Sequence, residues 1–545
     1  MTNRISFRDS IHFTLELLRS NFYLEYSAMV ADLIRKSSTQ RLANVLRAVV
    51  IVASAWVPTQ AMAAAELEPP SSDGSREQVI ARGEYFRTDQ TYVPPPGYVL
   101  HHHTAGFAKI LCSAVFLTGL DPDDAAENVG GFISPFAERA QVVERVVDRE
   151  KEVVSLTLAD GTVHTAQRYR DQGCIAHPSN VAQVRFTPSS ITPNLPPAAT
   201  TPWPMGDAPG ASPFTETVDM GAVARALDTG FGGADAKTLA LVVTWNGRIL
   251  GERYDDAIGI HTPLESWSMT KSLTGTLMGV LIRQGVYSLW QEAPVPEWRV
   301  RPDDPRRRIR IGDIMRMSSG IMINAPADPD YETETYADHY YLYTGGVHQY
   351  KYAATRPLEF EPASVGRYRN TDPVLTSYLI RLGVERRGGD YHAFPQRHLF
   401  DRIGIRDAVI ETDPYGNFLG QGLAFLSARD WARLGNLYLQ DGVWEGERIL
   451  PEGYVDYAST VAPAWASDGR PVYGGAFFWV NGEGAHNLPT SAYRMLGAGG
   501  QSTTIIPSHG LVVVRIGKYT GARAGAEALD EMFSMLLEAV PEMRK

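Results

Sequence analysis

A hydroxyl and an amine stand three residues apart at Ser268 and Lys271, within Glu265-Ser266-Trp267-Ser268-Met269-Thr270-Lys271-Ser272. A free serine is a poor nucleophile, but a lysine whose pKa is lowered by desolvation can take its proton. Leu273, Leu277, Val280 and Leu281 recur at helical spacing and Gly285 supplies a stop, so the pattern predicts a helix from Ser268 to Gln284. Positions i and i+3 share a face, which stacks Lys271 beside Ser268 in the first turn. Ser272, Gly275 and Gly279 continue that stripe with small side chains, so another element can pack closely there. Ser-x-x-Lys also occurs by chance on solvated helices, and its neighbours must decide.

Two other stretches carry compatible chemistry. Tyr368-Arg369-Asn370 follows Gly366 in a loop before an apolar helix, Val374–Leu382. A phenol can transfer a proton, and an amide two residues on can hold lysine or substrate. Gly497-Ala498-Gly499-Gly500-Gln501 leads into the strand Ser502–Pro507. Gly499 and Gly500 there let a substrate lie along the backbone, and the N–H of Gln501 can pair with that of Ser268 as an oxyanion hole. Separately each is weak, since Tyr-x-Asn is common in loops and glycine runs are common in turns.

The elements that must bring these pieces together are legible in outline. Thr238–Thr244 and Arg248–Tyr254 are apolar runs joined through Trp245-Asn246-Gly247, a hairpin signal. Ser502–Pro507 and Leu511–Ile516 flank Ser508-His509-Gly510 as a second hairpin, and Ala526–Leu537 is a terminal helix. Early and late strands predict one antiparallel sheet flanked by helices. The middle, from about Leu289 to Asp468, is a helical and looped insertion.

Taken in order, Ser268-Met269-Thr270-Lys271, Tyr368-Arg369-Asn370 and Ala498-Gly499-Gly500 resemble the motifs of the penicillin-recognising serine hydrolases: class C β-lactamases, D-Ala-D-Ala carboxypeptidases, related esterases and 6-aminohexanoate-dimer hydrolases. Pro294-Val295-Pro296-Glu297-Trp298, Met317-Ser318-Ser319-Gly320, Ala428-Arg429-Asp430-Trp431 and Gly499-Gly500-Gln501 look most like the nylon-oligomer branch, and the resemblance runs from about Asp219 to Val540. It implies an α/β (α+β) β-lactamase/transpeptidase-like fold and an acyl-enzyme mechanism. Ser268 would attack, Lys271 would take its proton, Tyr368 would serve the leaving group, and Asn370 would bind lysine or substrate. The N–H groups of Ser268 and Gln501 would hold the oxyanion. One departure stands out: the third motif of β-lactamases begins with lysine or histidine, which receives a substrate carboxylate, and here that place holds Ala498. Arg369 and Arg494 are the substitutes the sequence offers. The implied activity is therefore an amidase or esterase on a small-molecule substrate. A wall carboxypeptidase or β-lactamase is the alternative, and a silent ligand-binding protein on the same fold is a second.

The remainder sets boundaries. Two cysteines, Cys112 and Cys174, lie ahead of the serine motif, and in an exported protein they predict one disulfide worth about 4 kcal/mol; two buried thiols are the alternative. Residues 82–186 form a small α+β domain with a helix over Ala105–Thr118, another over Pro135–Ala140, and a hairpin of Glu144–Leu158 with Thr162–Tyr169. The phrase Lys109-Ile110-Leu111-Cys112-Ser113-Ala114 looks like an extension found on some members of the family. Its role is not legible, and a lid over the cleft is one option. His101-His102-His103, with His164 and His177, predicts a polar loop rather than a metal site, because neighbours in an extended chain point to opposite faces. No metal or cofactor is expected.

Residues 187–213 are a proline-rich connector, and residues 214–545 the hydrolase domain. Residues 1–63 are an N-terminal extension and export signal. Arg35, Lys36, Arg41 and Arg47 precede an apolar run from Ala48 to Val57 and an Ala61-Met62-Ala63 site, with Met29 a candidate start. That run is about half the length of a membrane span, so a periplasmic or secreted protein without a stable span is expected, an uncleaved anchor being the alternative. A net charge of -11 argues against a nucleic-acid partner. Gly-x-Ser-x-Gly, Gly-x4-Gly-Lys and His-Glu-x-x-His are all absent from the sequence.

Overall fold

Two structural blocks follow one another along the chain, and the serine helix belongs to the second. The computed structural model describes residues 68–177, 183–208, 214 and 218–543. The export segment expected over residues 1–63, and Pro209–Pro213 of the connector, lie outside the described residues.

The first block begins with α1 (Arg76–Phe86) and α2 (Val99–Ser113), the latter running on as a wider turn over Ala114–Thr118. A four-stranded antiparallel sheet follows in the order β1 (Val142–Asp148), β2 (Val153–Leu158), β3 (Val163–Arg168), β4 (Cys174–Ala176). The strand expected to run unbroken from Glu144 to Leu158 is two strands, because the charged run Arg149-Glu150-Lys151-Glu152 makes a turn with Glu152 at φ 52°. His101, His102 and His103 are not in a loop but in the first turns of α2, which starts earlier than expected. The prolines that would break a helix, Pro94 to Pro96, end just ahead of Gly97. His101 Nδ1 lies 3.1 Å from His164 Nε2, while His103 Nδ1 lies 2.7 Å from the Ile133 carbonyl. Cys112 and Cys174 are joined in a disulfide that ties α2 to β4.

The second block is built on a six-stranded antiparallel sheet. In chain order its elements are α3 (Met220–Phe231), β5 (Thr238–Trp245), β6 (Arg248–Tyr254), the short β7 (Leu264–Glu265) and α4 (Met269–Arg283). Then come α5 (Asp338–Thr344), α6 (Thr371–Glu385), β8 (Ala408–Ile410), β9 (Ala424–Leu426) and α7 (Ala428–Leu439). The chain closes with β10 (Trp479–Val480), β11 (Tyr493–Gly497), β12 (Gln501–Ile506), β13 (Leu511–Gly517) and α8 (Ala522–Ala539). The large sheet has the order β10-β11-β12-β13-β5-β6, so late strands join early ones as the pattern predicts, and β7-β9-β8 form a small separate sheet.

Alternation along β5 and β13 gives each face its own core. Leu241, Val243, Leu511 and Val513 pack with Leu529, Met532 and Phe533 beneath α8. Val242, Val512 and Val514 face the larger core that holds α4, α6 and α7. The small-residue stripe of α4 performs as expected: a Cβ on Gly275 would stand 2.5 Å from the Ala476 carbonyl oxygen, and Ser272 Oγ donates to the Phe477 carbonyl at 2.9 Å.

The two blocks share buried chemistry. The described residues from Pro70 onward form one compact unit. Gly106 lets α2 approach closely, since a Cβ there would lie 2.1 Å from Ile133 Cγ2 and 3.1 Å from Thr344 Cγ2 of α5. Lys109, wholly buried on α2, pairs with wholly buried Glu411 next to β8. Ser113 Oγ at 2.9 Å and the Cys174 N–H at 2.7 Å donate to the same carboxylate. The connector lies against the second block too, with the Trp203 indole donating to the Gly247 carbonyl at 2.6 Å and Arg433 Nε to the Pro204 carbonyl at 2.7 Å.

Candidate active site

Ser268 caps the N-terminus of α4, and the residue before it holds the unusual backbone. Trp267 has φ +46°, a left-handed conformation that costs a non-glycine residue about 1–3 kcal/mol and persists only where the surroundings impose it. Here they do. Ser266 Oγ donates to the Ala424 carbonyl at 2.6 Å, the Ala424 N–H donates to Thr270 Oγ1 at 2.9 Å, and Trp267 itself is buried. Both sides of the turn are thus fastened to β9, and Ser268 is left half-exposed at its apex.

Lys271 lies one turn on, with Nζ 2.7 Å from Ser268 Oγ and 2.5 Å from the Gln421 carbonyl oxygen. It is 1% exposed, and burial alone pushes its amine well below the usual lysine value. The Tyr368 ring sits beside it, its centroid 4.9 Å from Nζ. Burial raises the Tyr368 phenol, and its interaction with Ser268 acts in the opposite direction. The serine helix and the Tyr368 loop, far apart in sequence, therefore meet beside Ser268.

Asn370 takes a different part from the one its position suggested. Its amide donates to the His339 carbonyl at 2.7 Å rather than holding Lys271, and its Oδ1 is buried without a partner. This bond fixes α5 against the start of α6. Ser319, in the Met-Ser-Ser-Gly stretch, secures the same helix start by donating to Asp372 Oδ1 at 2.5 Å. Burial lifts Asp372 to about 7.

The glycine stretch is the tight turn between β11 and β12, with Gly499 at φ +87° and Gly500 at φ +75°. Residues with a Cβ rarely tolerate such values. Gln501 opens β12 opposite Gly497, and its side chain is fully engaged: Oε1 accepts from the Gly517 N–H at 2.8 Å and Nε2 donates to the Gly517 carbonyl at 2.6 Å. Arg515 braces the turn from below, donating to the Gly500 carbonyl at 3.0 Å and the Ala236 carbonyl at 2.7 Å, and burial lowers its guanidinium to about 10.

Of the two arginines offered as a carboxylate receptor, Arg369 is already engaged. Arg369 is buried and paired with Asp328 at 2.8 Å and Glu359 at 2.5 Å; burial opposes its charge, but the two acids outweigh it and hold its pKa above the usual value. Arg494 sits on β11 with its charge disfavoured by burial, Asp530 being its acidic neighbour.

Three residues escaped sequence reasoning. Tyr343 of α5 is a second buried phenol, donating to the Gln421 carbonyl at 3.1 Å and interacting with Ser268 and Asn370. His339 is buried beside Tyr368 and Lys271, with its pKa held well below 6.5 by burial and then by that lysine. Nothing in the Tyr-rich run of α5 marks either one. Gly497 did carry a signal, being part of the glycine run. A Cβ there would stand 2.2 Å from the Ser266 carbonyl oxygen and 3.1 Å from the Ser268 nitrogen.

A serine bonded to a desolvated lysine, with a phenol and a glycine turn beside it, is an arrangement able to support acyl transfer. The Beta-lactamase family model matches residues 223–531, more than half of the chain, and the chain belongs to that family. It is a family of mainly serine hydrolases with the β-lactamase/transpeptidase-like fold. Among solved structures the chain is similar to a "Putative 6-aminohexanoate-dimer hydrolase from Bacillus anthracis", with 22% identity, 55% of this chain and 78% of that one covered, and a TM-score of 0.45. It is also similar to a penicillin-binding protein homolog from Caulobacter crescentus (15% identity, 61% and 99% covered, TM-score 0.45). A family VIII carboxylesterase is a third (15% identity, 57% and 97% covered, TM-score 0.43). No curated protein matches the sequence.

Proposed function

We propose that this protein hydrolyses an ester or amide bond through an acyl-enzyme on Ser268, as an amidase or esterase of the 6-aminohexanoate-dimer hydrolase type. The observation that carries the reading is the 2.7 Å contact between Lys271 Nζ and Ser268 Oγ, with the amine buried. Desolvation favours the neutral amine, which accepts the serine proton as Oγ attacks the carbonyl carbon. The tetrahedral oxyanion is held by the N–H groups of Ser268 and Gln501, at the helix N-terminus and beside the close approach of Gly497. Tyr368 passes a proton to the departing amine or alkoxide. Water then attacks the acyl-enzyme and regenerates Ser268.

Ala498 at the head of the third motif, together with Arg369 locked between two acids, supports substrates that need no carboxylate receptor. That favours simple esters and amides over penicillins and D-Ala-D-Ala peptides. We also read the chain as exported, since its disulfide suits an oxidising compartment. Among the described residues no helix is long and apolar enough to cross a membrane.

The test is a panel of p-nitrophenyl esters, linear amide oligomers, D-Ala-D-Ala peptides and nitrocefin, run on the wild type and on Ser268→Ala. Turnover of esters or amides is expected, with a loss of about 10³-fold or more in the variant. Equal rates for the two proteins on every substrate would end the hydrolase reading. Turnover of nitrocefin or of the peptides alone would move it to the β-lactamase or carboxypeptidase alternative.

A further inference from the structure

A ring packed on the residue that precedes the nucleophile comes from the first block, outside the matched family region. Phe132 packs edge-on to Trp267, the residue before Ser268, with ring centroids 4.6 Å apart. It also meets Tyr340 of α5 at 5.5 Å and Tyr519 at 5.4 Å. Tyr519 in turn borders the glycine turn, its Cα 3.3 Å from where a Cβ on Gly499 would stand. Phe132, Tyr340 and Tyr519 are all half-exposed, as are Ser268, Tyr368 and Ala498, whereas Trp267 beneath them is buried. An open aromatic surface thus spans the space between the serine turn, α5 and the glycine turn.

Phe132 is also held in place. Lys518 pairs with Asp124 at 2.8 Å, and Thr520 Oγ1 donates to Asn128 Oδ1 at 2.7 Å, clamping the Tyr519 turn to the segment that carries Phe132. Lys518 is thereby neutralised, and the three rings themselves bring no formal charge to this wall.

We propose that Phe132 is a specificity-determining residue: the first block supplies one wall of the substrate cleft, and that wall receives an uncharged apolar or aromatic group of the substrate. This inference rests on the proposed function for where the substrate lies, but its test does not depend on turnover. Aromatic faces contribute through area and ring geometry, so trimming one weakens a large apolar group and leaves a small one nearly untouched.

In the Ser268→Ala background, binding of N-phenylacetyl and N-acetyl anilides is followed by quenching of tryptophan fluorescence, with Trp267 and Trp479 near the cleft. Adding Phe132→Ala is expected to weaken the phenylacetyl ligand about 3- to 10-fold and the acetyl ligand less than 2-fold. Phe132→Tyr, which keeps the ring, should restore most of the difference. On the active enzyme the same contrast should appear as a raised KM for p-nitrophenyl esters of larger acyl groups or for bulky aryl acetates, with kcat on p-nitrophenyl acetate within about 2-fold. Equal affinities with and without the Phe132 ring, in a variant of unchanged thermal midpoint, would overturn the proposal. So would a uniform loss on every ligand that Phe132→Tyr does not reverse. Loss of hydrolysis sensitivity to Ser268, by contrast, would strike the function and leave the binding contrast standing.

Discussion

At the residue scale the decisive group is the amine of Lys271. A lysine wholly removed from water resists protonation, and among the described residues no acid offsets that burial. The base is active when neutral, so acylation is expected to fall as pH drops through the lowered pKa and to be fully present above it, with the inflection well below 10.5. The rate of fluorophosphonate labelling of Ser268 against pH measures this directly. Lys271→Arg, which keeps a cation that cannot deprotonate, should lose about 10²- to 10⁴-fold in labelling rate while folding normally. An inflection near the ordinary lysine value, or an arginine variant that labels at the wild-type rate, would reassign the base. Tyr368 and Tyr343 have the opposite character. Burial raises both phenols, so they stay protonated throughout the working range and can donate.

At the scale of elements, the site depends on how closely the end of β11 approaches the serine turn. A methyl on Gly497 would meet the Ser266 carbonyl and the Ser268 nitrogen, both backbone atoms that cannot swing aside. Gly497→Ala should therefore push β11 away and slow acylation about 10- to 100-fold, since a displacement near 1 Å is enough to misalign the reacting groups. Gly233→Ala is the matched control, because a Cβ there meets nothing within 4 Å. Labelling rates of the two variants, beside their thermal midpoints, check the contrast, and indistinguishable rates would remove Gly497 from this role. The same hairpin marks the limit of what periodicity could reveal. Strands β5 and β13 announce themselves by their apolar-rich runs, β6 and β12 by the turn signals that pair them with those runs, and α4 by its 3.6-residue repeat. Strand β11 is five residues, Tyr493–Gly497, interrupted by Arg494 and preceded by an irregular loop, so only the glycine turn showed. Ser268, Lys271 and Tyr368 were readable because their types and spacing are chemical statements. Tyr343 and His339 were not, because their roles arise only when α5 folds against Gln421 and Lys271 from distant parts of the chain. For Asn370, expected to hold lysine or substrate, the bond to the His339 carbonyl was not foreseen for the same reason.

At the scale of the whole molecule, the first block is joined to the catalytic block through charge as well as packing. Glu265 ends β7 three residues before the serine, with Oε1 buried and unpartnered. Burial first, and the charge of Glu411 second, raise its carboxyl to about 8, with Lys109 acting against them. An acid whose pKa is higher folded than unfolded contributes stability that is fully present below the unfolded value of 4.5. That stability is lost as pH rises toward about 8. Lys271 gives the opposite slope, because its pKa is lower folded than unfolded, so only a comparison of proteins isolates Glu265. Glu265→Gln should gain stability relative to wild type as pH goes from 5 to 8.5, on the order of 1–3 kcal/mol at the upper end. Denaturant unfolding at several pH values would show parallel curves if Glu265 did not titrate in that window. Lys109→Met is the complementary change. It leaves Glu411 buried without its cation, and breaking such a pair costs about 3–5 kcal/mol. The Glu265→Gln change should recover part of that loss, because one of the two facing carboxylates is then gone. A Lys109→Met protein as stable as wild type, or one that Glu265→Gln does not help, would mean that the first block is attached by its apolar contacts alone.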